Sequence, residues 1–356
     1  MLHRQSLCTY CAPLEPTSVA LPEPSGTQVR LTISSSGVCH SDLHLIDGYF
    51  DLGAGEQLDV TGGRTLPFTL GHEIAGVIDA VGPDAAADLD AANLNYGSRV
   101  AAFPWIGCGA CPLCARGDEH LCNRPQALGI TVDGGYATHV LVPHPRYLLD
   151  IGGLDDGFAA ALMCSGLTAY SALRKALQPP RPGPLLLVGL GGVGMMGLAF
   201  ARAMQDAPVF ASDIDAAKRD AALAAGATQV FDPRDRDTAK ALFKASQGGV
   251  GAVIDFVGTE ASFQFANRAV AKGGVIVLVG LMGGRLDMPL PMVPMRNLTI
   301  TGSYVGSLED ARGMLQLVRK ANIQPVALES RPLQEANAAL DDLRAGRVVG
   351  RVILKP

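Results

Sequence analysis

The sequence lacks an uninterrupted apolar run of the length that a membrane-spanning helix needs, about 20 residues. Its most apolar segment, LLLVGLGGVGMMGLAF, is interrupted by five glycines and has no flanking membrane anchors. Internal repeats and low-complexity segments are absent as well. We therefore expect no transmembrane helix and a compact soluble protein, in keeping with 48% hydrophobic and 18% charged residues.

Long basic stretches are also missing, and the net charge is -5. Nucleic acids and anionic membranes are therefore not expected as partners, because both attract clustered positive charge. The first residues, MLHRQSLCTYCAPLEP, lack the charged segment, apolar stretch and cleavage site of a signal peptide. We expect a cytoplasmic protein, in which cysteines stay reduced and are free to bind metal.

A chain of 356 residues is long enough for two domains. Its first 150 residues are rich in short strand patterns separated by glycine and proline, which predicts an irregular all-β body. After residue 160, apolar runs such as AVIDFVG alternate with alanine-rich stretches such as DAAKRDAALAAGA, as is typical of βαβ units around a buried parallel sheet. Helix patterns at 307–320 and 333–345 and a final strand are expected to rejoin the first body.

Four cysteines stand close together in the segment CGACPLCARGDEHLC. The spacing C-x2-C-x2-C-x7-C lets a short loop bring four thiolates to the corners of a tetrahedron, as a closed structural zinc site requires. A disulfide is the alternative, but cysteines three residues apart strain such a bridge. The predicted ligands of this structural zinc are Cys108, Cys111, Cys114 and Cys122. Cys8 and Cys11 form a second C-x2-C with no other pair nearby, and we interpret them as structural cysteines.

The glycines Gly189, Gly191 and Gly194 spell G-x-G-x-x-G between an apolar strand pattern and a helix pattern. In that context the motif predicts a dinucleotide site, with the pyrophosphate at the helix N-terminus. Asp213 ends the next strand pattern, where a carboxylate accepts hydrogen bonds from the adenosine ribose and repels a 2′-phosphate. A capping aspartate is the other interpretation. NAD is therefore favoured, although Lys218 and Arg219 leave NADP as the alternative.

Potential metal ligands occur in three further segments, GVCHSDLH, GHEIAG and LMCSGLTAY. Each alone could be a buried cysteine, a core histidine or a carboxylate at a strand end. Together they fit a catalytic zinc site, which uses three protein ligands and keeps a fourth coordination position open. Two cysteines and one histidine are a known set of such ligands. The candidate residues are Cys39, His40, Ser41, Asp42, His44, His72, Glu73 and Cys164.

From about residue 20 to its end the chain resembles the zinc-containing medium-chain alcohol dehydrogenases. The resemblance is carried by GVCHSDLH, GHE, the four-cysteine segment, C-x-x-x-T-A-Y, GLGGVG, Asp213 and the closing GRV, in the order and approximate spacing of that family. It implies an α/β fold with a GroES-like irregular β catalytic domain and a Rossmann cofactor domain with a doubly wound parallel sheet. The expected boundaries are 1–165 plus 305–356 for the catalytic domain, with a zinc lobe at 104–124, and 166–304 for the NAD-binding domain.

The same resemblance implies a role for each site residue. Cys39, His72 and Cys164 would ligate the catalytic zinc, with Glu73 behind it as a transient ligand and Asp42 fixing the tautomer of His72. Thr168 would pack on the nicotinamide, Arg351 would lie near the pyrophosphate, and His40 stands where some relatives have a phosphate-binding arginine. The full predicted set of cofactor-binding residues is His40, Thr168, Gly189, Gly191, Gly192, Val193, Gly194, Asp213, Lys218, Val279, Leu281 and Arg351.

The oxidation of an alcohol gives a metal and a proton acceptor clear roles, independently of the family resemblance. An alcohol must lose its proton before its carbon can release hydride, and zinc as a Lewis acid lowers such pKa values, to about 7 for bound water. Ser41 and His44 suit a proton relay through the cofactor ribose to solvent, although His44 could also be an ordinary surface histidine. The predicted activity is the reversible, NAD-dependent oxidation of a primary or secondary alcohol to an aldehyde or ketone.

The stretch DLGAGEQLDVTGGRTLPF, residues 51–68, is longer than its counterpart in many relatives and glycine-rich. We expect a surface loop that shapes the substrate mouth, forms an oligomer contact, or is passive. Tyr49, Phe50, Trp105 and Leu281 are predicted to form an apolar, partly aromatic pocket, so that hydrophobic or aromatic alcohols are preferred over polyols. Trp105 as an ordinary core residue is the alternative.

Two other functions stay open at this point. One is a specialised relative acting on a polyol, threonine or a hydroxyacyl thioester, and the other is a dinucleotide-binding protein that has lost turnover. The complete set of site residues argues against the second. The family resemblance and the apolar segment MPLPMVPM, followed by NLTITGSYVG, imply a homodimer or homotetramer.

Overall fold

The computed structural model describes residues 1–324 and 327–356, which form two β-sheet bodies on either side of a cleft. The strands are β1 Leu2–Leu7, β2 Glu15–Val19, β3 Val29–Gly37, β4 Tyr49–Gly53, β5 Glu56–Asp59, β6 Phe68–Thr69, β7 Glu73–Val81, β8 Arg99–Ala102, β9 His139–Val142, β10 Leu148–Asp150, β11 Leu185–Val188, β12 Val209–Ser212, β13 Gln229–Phe231, β14 Val250–Asp255, β15 Val270–Leu278, β16 Thr299–Gly302, β17 Leu328–Pro332 and β18 Arg351–Lys355. The helices are α1 His40–Asp47, α2 Ala86–Ala91, α3 Pro112–Ala115, α4 Asp156–Ala161, α5 Leu167–Leu177, α6 Gly192–Met204, α7 Ala216–Ala224, α8 Thr238–Ala245, α9 Glu260–Ala269, α10 Met292–Arg296, α11 Leu308–Lys320 and α12 Ala336–Arg344.

The second body is built on a parallel sheet with the strand order β13-β12-β11-β14-β15-β16. Every residue of β11 and β14 is buried, as expected of strands covered by helices on both faces. This order reverses direction next to β11, which places a crevice at the carboxyl end of β11. The predicted Rossmann sheet is confirmed.

The first body contains a mixed sheet with the order β10-β8-β7-β3-β18-β17, and β9 also pairs with β3. The closing strand β18 runs antiparallel to β3, so the end of the chain lies in the first body. β1, β2 and β6 form a smaller sheet beside it. Within the described ranges, none of the helices has the length and apolar character needed to cross a membrane.

Helix α1 corrects the expectation that the first body is all-β. Cys39 caps its N-terminus, and the Asp42 side chain accepts a hydrogen bond from the Cys39 backbone N–H at 2.9 Å. Gly48, with a φ of 83°, ends the helix in the left-handed conformation that glycine tolerates. The apolar residues Leu43, Leu45 and Ile46 are buried. This short helix was not predicted because polar site residues interrupt its apolar pattern.

The insertion at 51–68, expected as a surface loop, instead begins with a hairpin of β4 and β5. Gly53, Ala54 and Gly55 turn the chain with positive φ values of 80°, 54° and 81°. β5 is fully exposed, so the alternation of apolar and polar residues that identifies a strand is missing from its sequence. The hairpin reaches the second body, where Glu56 and Arg285 form an ion pair at 2.7 Å.

A continuous helical stretch joins the two bodies. It comprises α4, a π-helical segment at Leu162–Gly166, and α5, and it is buried over most of its length. Asp155 caps its start by accepting a hydrogen bond from the Phe158 N–H at 2.9 Å. Single π-helical turns in proteins often occur at functional sites.

Candidate active site

Cys39, His72, Glu73 and Cys164 converge at the cleft although they come from distant parts of the sequence. Each offers one ligand atom, and these atoms all lie within 4.8 Å of one another in a fully buried group. Cys39 stands at the start of α1, His72 and Glu73 at the start of β7, and Cys164 in the π-helical segment. The fold thus assembles the cluster that the separate motifs predict.

The donor set fits a zinc ion. The Cys39 and Cys164 sulfurs are 3.9 Å apart, close to the separation of about 3.8 Å that two zinc–sulfur bonds of 2.3 Å give at a tetrahedral angle. The pKa of Cys39 is lowered well below its usual value, because a hydrogen bond from Cys164 stabilises its thiolate. His72 Nε2 is buried and has no hydrogen-bond partner among the described residues, so its lone pair is available to a metal.

Asp42 holds this cluster in place from behind. Its Oδ1 lies 3.3 Å from His72 Nδ1, which leaves Nε2 as the nitrogen for the metal. Its Oδ2 accepts hydrogen bonds from the Cys39 N–H at 2.9 Å and from the Tyr136 hydroxyl at 2.7 Å. Tyr136 is fully buried and was not identified from the sequence, where it follows two glycines and carries no motif.

Glu73 and Arg351 form a buried ion pair beside the thiols. Burial raises the pKa of the Glu73 carboxyl to about 7, and the Arg351 charge opposes that shift. Arg351 also touches the glycine motif, since a Cβ on Gly192 would lie 2.5 Å from its Cδ. Arg351 therefore connects the metal-ligand cluster to the predicted pyrophosphate position, and Glu73 is held by it behind the thiols.

A cavity of about 620 Å³ opens beside this cluster and extends over the carboxyl end of β11. A Cβ on Gly194 would lie 1.8 Å from the Gly189 carbonyl oxygen, so this position accepts only glycine. Gly191 faces open space, as close approach of a phosphate requires. The cavity is lined by all the predicted cofactor-binding residues, His40, Thr168, Gly189, Gly191, Gly192, Val193, Gly194, Asp213, Lys218, Val279, Leu281 and Arg351.

Asp213 is fixed at the end of β12 by backbone groups. Its Oδ2 accepts a hydrogen bond from the Leu190 N–H at 2.7 Å, and its Oδ1 accepts one from the Asp215 N–H at 2.9 Å. Arg219 is one of the two cations that could bind the 2′-phosphate of NADP. Its side chain donates a hydrogen bond to the Asp213 carbonyl at 2.7 Å and forms an ion pair with Asp232 at 3.2 Å. Its guanidinium is therefore already engaged, while Lys218 lines the cavity.

Ser41 and His44 lie on the first turns of α1 and line the same cavity. Burial lowers the pKa of His44 below its ordinary value of 6.5, so the imidazole is neutral at pH 7 and can accept a proton. Its ring packs against the Phe50 ring at a tilt of 31°, with 4.4 Å between the ring centres, and Phe50 also lines the cavity. Tyr49, predicted as a pocket residue, instead lines a smaller outer hollow that shares His44, because successive residues of β4 point to opposite sides.

The four cysteines at 108–122 form a separate cluster whose ligand atoms also lie within 4.8 Å of one another. The Cys111 sulfur is 3.5 Å from that of Cys114 and 3.8 Å from that of Cys122. The backbone N–H of Ala110 and the Cys122 thiol lower the pKa of Cys108 to about 6, so a thiolate is present at neutral pH. Among the described residues, Cys8 and Cys11 join no such group.

Comparison with known proteins identifies the family of this chain. Residues 25–152 match the alcohol dehydrogenase GroES-like domain, and residues 192–320 match the zinc-binding dehydrogenase family. An NAD-dependent alcohol dehydrogenase of Sulfurisphaera tokodaii is 38% identical over 346 residues, 97% of each chain. This chain belongs to the zinc-containing medium-chain alcohol dehydrogenase family.

Solved structures of medium-chain alcohol dehydrogenases share the whole fold. The alcohol dehydrogenase of the archaeon Aeropyrum pernix has a TM-score of 0.87 at 29% identity, over 99% of this chain and 100% of that one. Acetophenone reductase from Geotrichum candidum, in complex with NAD, has a TM-score of 0.84 at 28% identity, over 100% of this chain and 97% of that one. The predicted family and fold are therefore confirmed.

In this family member, Trp105 is both core and cavity wall. It is 4% exposed, its ring lies 5.4 Å from that of His72, and its indole N–H donates to the Met163 carbonyl at 2.9 Å. Tyr304 packs its edge against Trp105 at 5.8 Å and lines the cavity, a position not predicted from the sequence. The only signal was its place just after β16, where a residue faces the crevice of a parallel sheet.

Proposed function

We propose that this chain catalyses the reversible NAD-dependent oxidation of an apolar or aromatic alcohol, primary or secondary, to an aldehyde or ketone. The observation that carries the proposal is the convergence of Cys39, His72 and Cys164. Two of them, Cys39 and Cys164, line a cavity whose other end is the glycine motif between β11 and α6. The proposal is also supported by two relatives at 38% identity, both of which are named NAD-dependent alcohol dehydrogenase.

The three residues would hold a catalytic zinc and leave a fourth position for the alcohol. When bound, zinc supplies a Lewis acid that lowers the pKa of the alcohol hydroxyl, and NAD supplies the hydride acceptor. Asp42 keeps His72 in the tautomer that offers Nε2. Glu73 is held back by Arg351 and serves as the proposed transient ligand.

Proton removal would use Ser41 and His44. Ser41 lies two residues after Cys39, in the first turn of α1, and its hydroxyl is 3.9 Å from the Cys39 sulfur. His44 separates the cavity from the outer hollow, so its imidazole reaches both. A neutral imidazole accepts the proton inside and releases it outside.

The cofactor would be NAD rather than NADP. The anchored carboxylate of Asp213 accepts hydrogen bonds from ribose hydroxyls and repels a 2′-phosphate. Arg219 is paired with Asp232 and is not available for that phosphate. Lys218 is then left to contact the adenosine ribose.

The four-cysteine lobe at 104–124 would hold a second, structural zinc, giving two zinc ions per chain. Ligation by thiolates supports a reducing compartment, and we propose the cytoplasm. The domain boundaries proposed are 1–165 plus 305–356 and 166–304, as β18 lies in the sheet of the first body. A homodimer or homotetramer is supported by the free edge of β16 and by exposed Leu290, Met292 and Met295 next to it.

Assays with NAD on benzyl alcohol, hexanol and sorbitol test the proposal directly. We expect NADH formation with the first two and little with sorbitol, because the cavity walls are mostly apolar. Metal analysis should give two zinc ions per chain, with activity lost when a chelator removes one. Best activity on sorbitol would overturn the substrate class, and full activity after removal of all metal would overturn the mechanism.

A further inference from the structure

The hydrogen-bond donors on the substrate side of the cavity are either engaged within the protein or almost inaccessible to solvent. The Trp105 N–H donates to Met163, the Thr131 hydroxyl donates to Pro125 at 3.1 Å, and Arg64 Nη1 donates to Ile130 at 2.9 Å. Arg64 Nε and Nη2 and the Ser303 hydroxyl have no hydrogen-bond partner among the described residues, but these atoms are buried and almost inaccessible to solvent. Phe50, Trp105, Leu281, Met282 and Val305 make the remaining walls apolar.

Tyr304 is the exception among the described residues of this wall. Its side chain lines the cavity, the residue is 46% exposed, and no hydrogen bond within the described part of the chain uses its hydroxyl. Its ring stands at 72° to that of Trp105, which itself lies against His72. The Trp105 ring thus stands between the rings of Tyr304 and His72 in a chain of aromatic contacts.

The phenol also remains a donor under assay conditions. The ordinary pKa of a tyrosine, about 10, already lies above neutral pH, and enclosure of the Tyr304 ring in the cavity raises the pKa of its hydroxyl further. The hydroxyl is thus protonated at neutral and mildly alkaline pH, at which alcohol oxidation is measured. It can donate to an acceptor oxygen, and a substrate that places a hydrocarbon against it gains no such bond.

We propose that Tyr304 is a specificity-determining residue whose hydroxyl donates a hydrogen bond to a second, acceptor oxygen of the substrate. The preferred substrates are then apolar alcohols that carry one ether or carbonyl oxygen away from the reacting hydroxyl. Polyols are not among the preferred substrates, because several of their hydroxyls would be buried against apolar walls. The single Tyr304 hydroxyl could not form hydrogen bonds with all of them. This proposal rests on the proposed alcohol dehydrogenase activity and adds the substrate class.

A series of alcohols with equal length tests it. 1-Heptanol is compared with 2-butoxyethanol, 3-propoxypropan-1-ol, 4-ethoxybutan-1-ol and 5-methoxypentan-1-ol, in which one methylene is replaced by an ether oxygen at successive positions. In the wild type, kcat/KM should peak at one ether position. Tyr304→Phe keeps the ring against Trp105, and it should lower kcat/KM for that ether about fivefold while changing 1-heptanol less than twofold.

Tyr96→Phe is the matched control, because it removes a phenol hydroxyl from a residue that is 74% exposed and outside the cavity. An equal loss for heptanol and every ether in Tyr304→Phe, or no preferred ether in the wild type, would overturn the proposal. Tyr304→Gln, which retains a donor, should recover part of the discrimination.

Binding measured without turnover separates this proposal from the activity on which it rests. Trp105 is the only tryptophan, so its fluorescence in the zinc-loaded protein without NAD reports occupancy of the cavity. The preferred ether should bind about fivefold more tightly to the wild type than to Tyr304→Phe, and 1-heptanol equally to both. If no alcohol is oxidised by the wild type, the proposed activity fails, and this titration still decides the role of Tyr304.

Discussion

The two cysteine-containing clusters of this chain use similar ligands in opposite ways. The lobe takes all four ligands from one short segment, and two of them are only half-buried. The cluster of Cys39, His72 and Cys164 draws on three distant segments, is fully buried, and opens onto the cavity. Ligands close in sequence can close a site around a metal, whereas ligands delivered by different elements leave one side free for chemistry.

The sharpest test of this comparison exchanges one sulfur for oxygen at each site. Cys164→Ser should lower kcat/KM by about 10³-fold or more while the unfolding temperature changes little, because only the electrophile's ligand is lost. Cys114→Ser should lower the free energy of unfolding by about 4 kcal/mol or more, because the lobe depends on its metal to fold. Kinetics and thermal unfolding are measured on both variants. The comparison fails if both lose activity and stability alike.

A smaller effect is expected at the proposed proton path through Ser41 and His44, which concerns the open cluster and not the lobe. His44→Gln should lower kcat about 10²-fold, with partial rescue by added imidazole. In the wild type, kcat should rise with pH through the pKa of His44, which burial sets below 6.5, since the neutral ring is the proton acceptor. His120→Gln, at a half-buried histidine of the lobe, is the control and should leave the pH profile unchanged. An unaltered profile in His44→Gln would exclude the relay.

The smallest effect concerns the support behind the open cluster. Tyr136→Phe removes the 2.7 Å hydrogen bond to Asp42 and should weaken binding of the catalytic metal about tenfold. Metal at the lobe should be retained with unchanged affinity. Competition with a chromogenic chelator measures both, and Tyr96→Phe serves as a surface control. Equal loss of the two metals would show that Tyr136 acts through general stability.

The lobe and the open cluster also differ in how much of each could be predicted from the sequence. The lobe is specified by local spacing, so Cys108 to Cys122 could be assigned without knowledge of the fold. The parallel sheet follows from apolar runs and helical patterns, and the crevice follows from the glycine motif. The catalytic ligands needed the family resemblance, because no local pattern shows that residues 39, 72 and 164 meet.

Residues that act across elements were not predictable in this way. Tyr136 reaches Asp42 from a segment without regular structure, and Tyr304 enters the cavity from the end of β16, where the sequence suggested only an oligomer contact. The sequence predicts a loop where the hairpin of β4 and β5 forms, because both strands are largely exposed and lack an apolar face. Positions of this kind depend on which elements become neighbours, and that information is spread over the whole chain.

Cys164 and Thr168 stand four residues apart on the uninterrupted helical stretch that joins the two bodies. About one helical turn therefore separates the metal ligand from the wall proposed for the nicotinamide. Both residues therefore belong to one continuous helical element, although the cavity that they line lies between two β-sheet bodies. The spacing between the proposed zinc site and the proposed nicotinamide wall is thus set by local helix geometry, and does not depend on how the two sheets pack.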